Sequence, residues 1–201
     1  MLKTIELNDI PNLCKTKDFD VLRINYKVGE IGTIQETVKA IVDSHKMVLK
    51  DGYKTYEAIG MQYADPNNPL YDAVQQTAFV SDKSKTEFRK PARYKEQNEI
   101  GKEFDFVHDV FAKQGIGLER GRILKANPGH IHNDHLDYDI RIHLPVFSNP
   151  ECKMSYSGNL YHMVPDGSIY LINGYHLHHF FNKGDTERIH LVWLIERELY
   201  T

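Results

Sequence analysis

The spacing of apolar residues changes along the chain. In residues 33–49, apolar positions at Ile34, Val38, Ile41, Val42 and Val48 recur near the period of an amphipathic helix, and Asp51-Gly52 ends the segment. A second helical stripe, residues 97–113, runs through Ile100, Phe104, Val107, Val110 and Phe111. Between them, Ala64-Asp65-Pro66-Asn67-Asn68-Pro69 reads as a loop. Residues 80–96 are charged and weakly periodic and read as a surface loop. Beyond residue 117 the period shortens. Segments 118–126, 138–147, 168–172, 176–181 and 187–195 read as strands separated by turn residues such as Asn127-Pro128-Gly129 and Asn182-Lys183-Gly184-Asp185. The pattern predicts a single α+β domain over 1–201. A helix-rich part, 1–117, buttresses an antiparallel sandwich or barrel formed by 118–201.

Composition narrows the class. The 201 residues suffice for a sizeable core, and a net charge of -3 argues against nucleic acid as the main partner. No apolar run is long enough to span a membrane, and acids interrupt the first residues where a secretory signal would be apolar. Two cysteines, Cys14 and Cys152, make no disulfide framework, so a reduced, cytoplasmic protein is the expectation. The oligomeric state is left open.

The chemistry concentrates in the second half. Nine of the eleven histidines fall between His130 and His190. Two His-x-Asp triplets overlap, His132-Asn133-Asp134 and His135-Leu136-Asp137. In extended chain, residues i and i+2 share a side, so either triplet can offer an imidazole and a carboxylate to one ion. A downstream histidine, from among His176, His178 and His179, would complete a two-His, one-carboxylate triad of the kind that binds Fe(II) with open positions. In segment 176–181, Leu177 and Phe181 are expected in the core, leaving His176, His178 and Phe180 on the cavity side. If that strand and the next form a hairpin with an odd-numbered loop, Arg188 shares a face with His178, roughly 7–8 Å away, placed to pair with the far carboxylate of a metal-bound dicarboxylate. On segment 138–147, Arg141 and His143 share a side opposite Ile140, Ile142, Leu144 and Val146, which calls for an anionic partner such as Asp139 or a bound carboxylate.

Over residues 118–195 the chain resembles the aspartyl/asparaginyl β-hydroxylase family of 2-oxoglutarate- and Fe(II)-dependent dioxygenases. The residues that carry the resemblance are Pro128-Gly129-His130-Ile131 leading into His132-Asn133-Asp134; Arg141-Ile142-His143-Leu144-Pro145-Val146; Asp166-Gly167-Ser168 through Asn173; and His178 followed by Asn182 and Arg188-Ile189-His190-Leu191. The resemblance implies a double-stranded β-helix (cupin-like jelly-roll) core. It implies a metal site of His132, Asp134 and His178, because the family sets its R-x-H nine positions after the first metal histidine and its cosubstrate arginine ten after the second. It further implies 2-oxoglutarate held by Arg188, with Arg141 and His143 near the iron. Retention of a carboxylate ligand is similar to the branch acting on free amino acids. The activity implied is hydroxylation of an Asp-, Asn- or Pro-like amino acid, free or peptidyl, with dioxygen. Arg120, Arg122 and Tyr161 are candidates for substrate contact. His130, His135, His176 and His179 receive no role. The alternative is a cupin-like metal- or small-ligand-binding protein without redox turnover.

Overall fold

The computed structural model describes residues 2–50, 53–75 and 94–199. In chain order the strands are β1 (Thr4–Ile5), β2 (Val21–Lys27), β3 (Val48–Leu49), β4 (Tyr56–Gly60), β5 (Gln62–Tyr63), β6 (Glu96–Gln97), β7 (Leu118–Ala126), β8 (Ile131–His135), β9 (Ile140–Phe147), β10 (Cys152–Tyr156), β11 (Asn159–Tyr161), β12 (Ser168–Asn173), β13 (His178–Asn182) and β14 (Arg188–Ile195). The helices are α1 (Ile10–Thr16), α2 (Ile31–Ser44), α3 (Asp72–Gln75), α4 (Glu99–Lys102) and α5 (Asp105–Ala112). A major sheet runs β1-β2-β12-β9-β14-β7-β4-β3, and a minor sheet runs β11-β10-β13-β8. Strands β7–β14 therefore divide four and four between two facing sheets, the arrangement of a jelly roll.

Each sheet face has its own core. On β9, Ile140, Ile142, Leu144 and Val146 lie in one apolar cluster with Ile34, Val38 and Ile41 of α2. The opposite face of the major sheet, with Leu124, Ala126 and Val192, packs on Met154, Tyr156 and Phe180 of the minor sheet. β14 is buried at every position because it is central and covered on both sides. Three layers result: helices, major sheet, minor sheet.

The first 117 residues are less helical than their periodicity predicts. β1 and β2 extend one edge of the major sheet, while β4 and β3 extend the other. Short apolar runs do not distinguish a strand from a buried helix turn, which is why these strands escape a reading by period alone. α2 stops at Ser44, and Val48–Leu49 forms β3 instead of a last helical turn. The stripe at 97–113 is broken at Phe104 into α4 and α5, with the Asn98 side chain capping α4 by accepting from Gly101 N at 2.9 Å. Residues 80–93 of the expected surface loop lie outside the described residues; Tyr94 is buried and Glu96–Gln97 forms β6.

The expected hairpin between the strands carrying His178 and Arg188 is absent. β13 pairs with β10 and β8, whereas β14 pairs with β7 and β9, so the five-residue connection crosses from one sheet to the other. Leu177 and Phe181 are not core either: Leu177 is exposed and Phe181 half-buried.

Candidate metal centre and cavity

Between the two sheets lies a cavity of about 320 Å³. The major sheet lines it with Arg141, His143, Arg188 and Leu124, and the minor sheet with His132, His135, His178 and Phe180. Asp137 enters from the β8–β9 connection, and Lys50, Tyr53 and Tyr56 close the side formed by β3 and β4.

Three donors converge in it. One ligand atom each from His135, Asp137 and His178 lies within 4.8 Å of the others. Asp137 Oδ2 stands 3.4 Å from His135 Nε2 and 3.3 Å from His178 Nε2. The Nδ1 atoms of both imidazoles are already committed: His135 Nδ1 is 2.7 Å from the Asn133 carbonyl and His178 Nδ1 is 2.9 Å from the His176 carbonyl. A carbonyl oxygen can only accept, so Nδ1 carries the proton, and each imidazole, once its Nε2 proton is given up to a metal ion, would present that Nε2 lone pair to the common point. Two neutral nitrogens and one carboxylate oxygen suit a divalent iron, and this donor set is the one found with open positions in non-haem Fe(II) oxygenases.

The expected triad of His132, Asp134 and His178 is not brought together in this arrangement. His178 is in place, but Asp134 is not: its side chain is 64% exposed and accepts from His179 Nδ1 at 2.7 Å on the outer side of the sheet. His132 lines the cavity without joining the cluster, its ring stacked on Tyr53 at 4.4 Å and lying 5.2 Å from Phe180. The cause is a bulge. His178 pairs with His135 and Phe180 with His132, so two steps on β13 span three on β8. The extra residue makes His132 and His135 share a face, whereas strict alternation places them on opposite faces. The overlooked pair was visible as the second His-x-Asp triplet. What hid it was the nine-residue spacing from His132 to Arg141, which counts through the bulge.

Electrostatics hold the carboxylate charged. Burial alone would raise the Asp137 pKa, but the Arg141 guanidinium and the His135 and His178 imidazoles hold it well below the usual carboxylate range. Arg141 is itself anchored, with Nε and Nη2 donating to Asp139 Oδ1 and Oδ2 at 2.8 and 3.2 Å and Nη1 2.8 Å from Asp137 Oδ2. Of the anionic partners expected for Arg141, the structure supplies Asp139; Asp137, which the sequence reading did not name for it, is the second.

Backbone packing sets the Asp137 loop. Asp137 N donates to the Gly174 carbonyl and Gly174 N to the Asp139 carbonyl, each at 2.8 Å. Tyr138 between them adopts φ 54°, in the left-handed region, and so turns the two aspartates. A Cβ on Gly174 would fall 2.6 Å from the Asp139 carbonyl oxygen and 2.8 Å from Asp137 Cβ. Gly174→Ala is therefore expected to displace Asp137 and weaken Fe(II) binding roughly 10- to 100-fold, as loss of outer support does elsewhere. An Fe(II) titration of the folded variant checks this, and unchanged affinity would contradict the role given to the loop.

Arg188 faces the same cavity from the opposing sheet. It is 2% exposed, its guanidinium lies 4.9 Å from the Phe180 ring centroid, and Nη2 donates to His190 Nδ1 at 2.8 Å. His143 Nδ1 is 3.3 Å from His190 Nδ1. Burial, then the charge of Arg188, push both imidazoles well below their usual pKa, so both are neutral and leave the arginine's charge unopposed. His190, given no role in the sequence reading, orients Arg188. Among the remaining histidines, His130 is buried with Nδ1 2.9 Å from Thr55 Oγ1, and His176 pairs with Asp20 at 2.9 Å near the surface. Tyr161 donates to Asp20 at 3.2 Å, and Arg120 Nε donates to the Ala73 carbonyl at 3.1 Å.

Residues 122–198 match the family described as aspartyl/asparaginyl beta-hydroxylase. Among solved structures, the chain is similar to a prolyl hydroxylase from Trichoplax adhaerens in complex with a hypoxia inducible factor oxygen degradation domain peptide fragment, at 9% identity over 96% of this chain and 91% of that chain, with a TM-score of 0.59. It is also similar to a Pseudomonas putida prolyl-4-hydroxylase, at 11% identity over 94% and 98% of the two chains and a TM-score of 0.57. A 2OG-Fe(II) oxygenase family oxidoreductase from Burkholderia pseudomallei gives 10% identity over 98% and 95%, with a TM-score of 0.53. At these identities the likeness shows the fold, which is the double-stranded β-helix. No curated protein matches the chain. Among the described residues, no helix is long and apolar enough to cross a membrane.

Proposed function

With residues 122–198 matching the aspartyl/asparaginyl β-hydroxylase family as premise, we propose that this protein is an Fe(II)- and 2-oxoglutarate-dependent dioxygenase that hydroxylates an amino acid, free or within a peptide. The observation that carries the reading is the pairing, in one cavity, of a His135–Asp137–His178 donor set with a buried arginine on the facing sheet. When bound, iron and 2-oxoglutarate supply oxidation of a substrate C–H bond by dioxygen, with the cosubstrate converted to succinate and carbon dioxide.

The chain's own groups do the rest. His135, Asp137 and His178 hold the metal; Arg141 keeps the Asp137 carboxylate charged and aimed. Arg188, steadied by His190, receives the far carboxylate of 2-oxoglutarate through its planar fork. His143, neutral and buried, forms the wall between them. Phe180 and Leu124 keep water from the space where the cosubstrate lies. The two buried free thiols agree with a cytoplasmic setting.

A hydrolase or a binding protein of the same fold has no use for a buried cation set across the cavity from the metal set. Incubation with Fe(II), 2-oxoglutarate and dioxygen over a panel of amino acids and peptides is expected to yield succinate, with at least one substrate stimulating it. No 2-oxoglutarate consumption under any of these conditions would refute the assignment.

A further inference from the structure

Lys50, immediately after β3, lines the cavity and has no part in the proposed reaction. Its backbone is fixed: Lys50 N donates to the Tyr56 carbonyl at 2.8 Å, and the Lys50 carbonyl accepts from Tyr53 N at 3.0 Å. The side chain shares the cavity wall with Tyr53, Tyr56 and His132, and its Nζ lies 5.2 Å from the Tyr56 ring centroid. Because His132 stacks on Tyr53, the amine is set in an aromatic wall. Among the described residues no carboxylate pairs with it. Asp137, the carboxylate lining the same cavity, is held by Arg141, His135 and His178.

The charge around this amine is positive. Arg141 lines the cavity. Arg122, which does not line it, is 1% exposed, and its Nε and Nη2 are buried with no hydrogen-bond partner. Such surroundings disfavour an ammonium and leave the amine its lone pair. Burial, followed by the charges of Arg122, Arg141 and Arg120, pushes the Lys50 amine down to about 7. An ordinary lysine titrates near about 10.4 and is almost wholly ammonium at neutral pH. The field that opposes an ammonium also favours an anion in the same place. Lys50 is therefore suited to a reaction with a small electrophile that turns the amine into an anion.

Resting on the oxygenase reading for carbon dioxide released within the cavity, we infer that Lys50 is a site of reversible carbamate formation by carbon dioxide. The Nζ lone pair attacks the carbon of carbon dioxide. An N–C bond forms, the electron pair of one C–O π bond moves to oxygen as the carboxylate charge, and Nζ releases a proton to solvent. Nothing is oxidised or reduced. The wall that carried an amine then carries an anion. Two sources share this chemistry: gas released when 2-oxoglutarate is converted to succinate, and gas dissolved in the medium.

The first arm of the test uses the ligand-free full-length protein, equilibrated with isotopically labelled bicarbonate at about pH 7.5, where an ordinary lysine is protonated. A trialkyloxonium reagent fixes any carbamate as its ester, and peptide mass spectrometry locates it. The α-amino group, which ordinarily titrates near about 8, is the internal positive control. Lys50 is expected to carry at least about 10-fold more label than any other lysine. Carbon NMR is expected to lose one carbamate resonance in Lys50→Met. Lys50→Arg, which keeps a cation but has no nucleophilic amine, is expected to lose the same resonance. Label on the α-amino group but not on Lys50, label on Lys50 no higher than on other lysines, or a resonance unchanged in both variants overturns the proposal.

The second arm assigns the source. Protein loaded with Fe(II) turns over 2-oxoglutarate labelled in the carboxyl group next to its keto carbon, in bicarbonate-free buffer. Label reaching Lys50 here assigns the released gas; label reaching it only from bicarbonate assigns the medium. If succinate forms and Lys50 stays unlabelled in both arms, this inference alone fails. If no succinate forms, the oxygenase reading fails, and the bicarbonate arm still decides for or against the carbamate.

Discussion

Asp137→Ala is expected to abolish turnover and to weaken Fe(II) binding by more than about 100-fold, the upper end of what loss of a mere outer partner costs. Asp134→Ala is expected to do neither. The two aspartates are three residues apart, and each stands two after a histidine, yet the bulge in β8 sends them to opposite destinations. Asp137 is buried against two imidazole Nε2 atoms and the Arg141 guanidinium. Asp134 is 64% exposed and, among the described residues, pairs with His179 at the surface. Losing that exposed pair costs at most about 1 kcal/mol of stability. The comparison has an internal control, since the variants change the same residue type in neighbouring turns of chain. Iron binding measured by anaerobic titration, together with succinate formation, reads both. Loss of iron in the Asp134 variant with retention in the Asp137 variant would reinstate the His132-x-Asp134 assignment.

Arg188→Ala carries the second large effect. Truncating one partner of a buried, hydrogen-bonded charge pair costs about 2–5 kcal/mol, so the 2-oxoglutarate requirement is expected to rise at least about 30-fold. Metal affinity should change little, because none of the three metal donors bonds to Arg188. Arg188→Lys should recover part of the loss by restoring charge without the planar fork. A 2-oxoglutarate requirement unchanged in the alanine variant would show that another cation receives the far carboxylate.

Of strands β7–β14, β8, β10 and β11 were not read from the sequence and the other five were; β9 was the most legible because its alternation matches the sheet faces. Ile140, Ile142, Leu144 and Val146 mark one side of β9 and Arg141 and His143 the other, and these are the helix-facing and cavity-facing sides in the structure. The route from His178 to Arg188 was not. A hairpin and a sheet-to-sheet crossing use loops of the same length, and both put the two side chains into one cavity; only the pairing partners of β13 and β14 tell them apart. His135 and Asp137 were obscured for a local reason. A bulge adds one residue without changing composition, and every alternation argument downstream of it then points to the wrong face. Lys50, Tyr53 and Tyr56 were beyond reach for a global one: they meet the histidines only because β3 and β4 extend the major sheet past β7.

The most direct test of the metal assignment is the visible absorption that forms when Fe(II) and 2-oxoglutarate are added together in the absence of oxygen. The account predicts a weak charge-transfer band in the wild type and in Asp134→Ala, and none in Asp137→Ala. A band that survives Asp137→Ala but disappears in Asp134→Ala, or no band in the wild type, would contradict it.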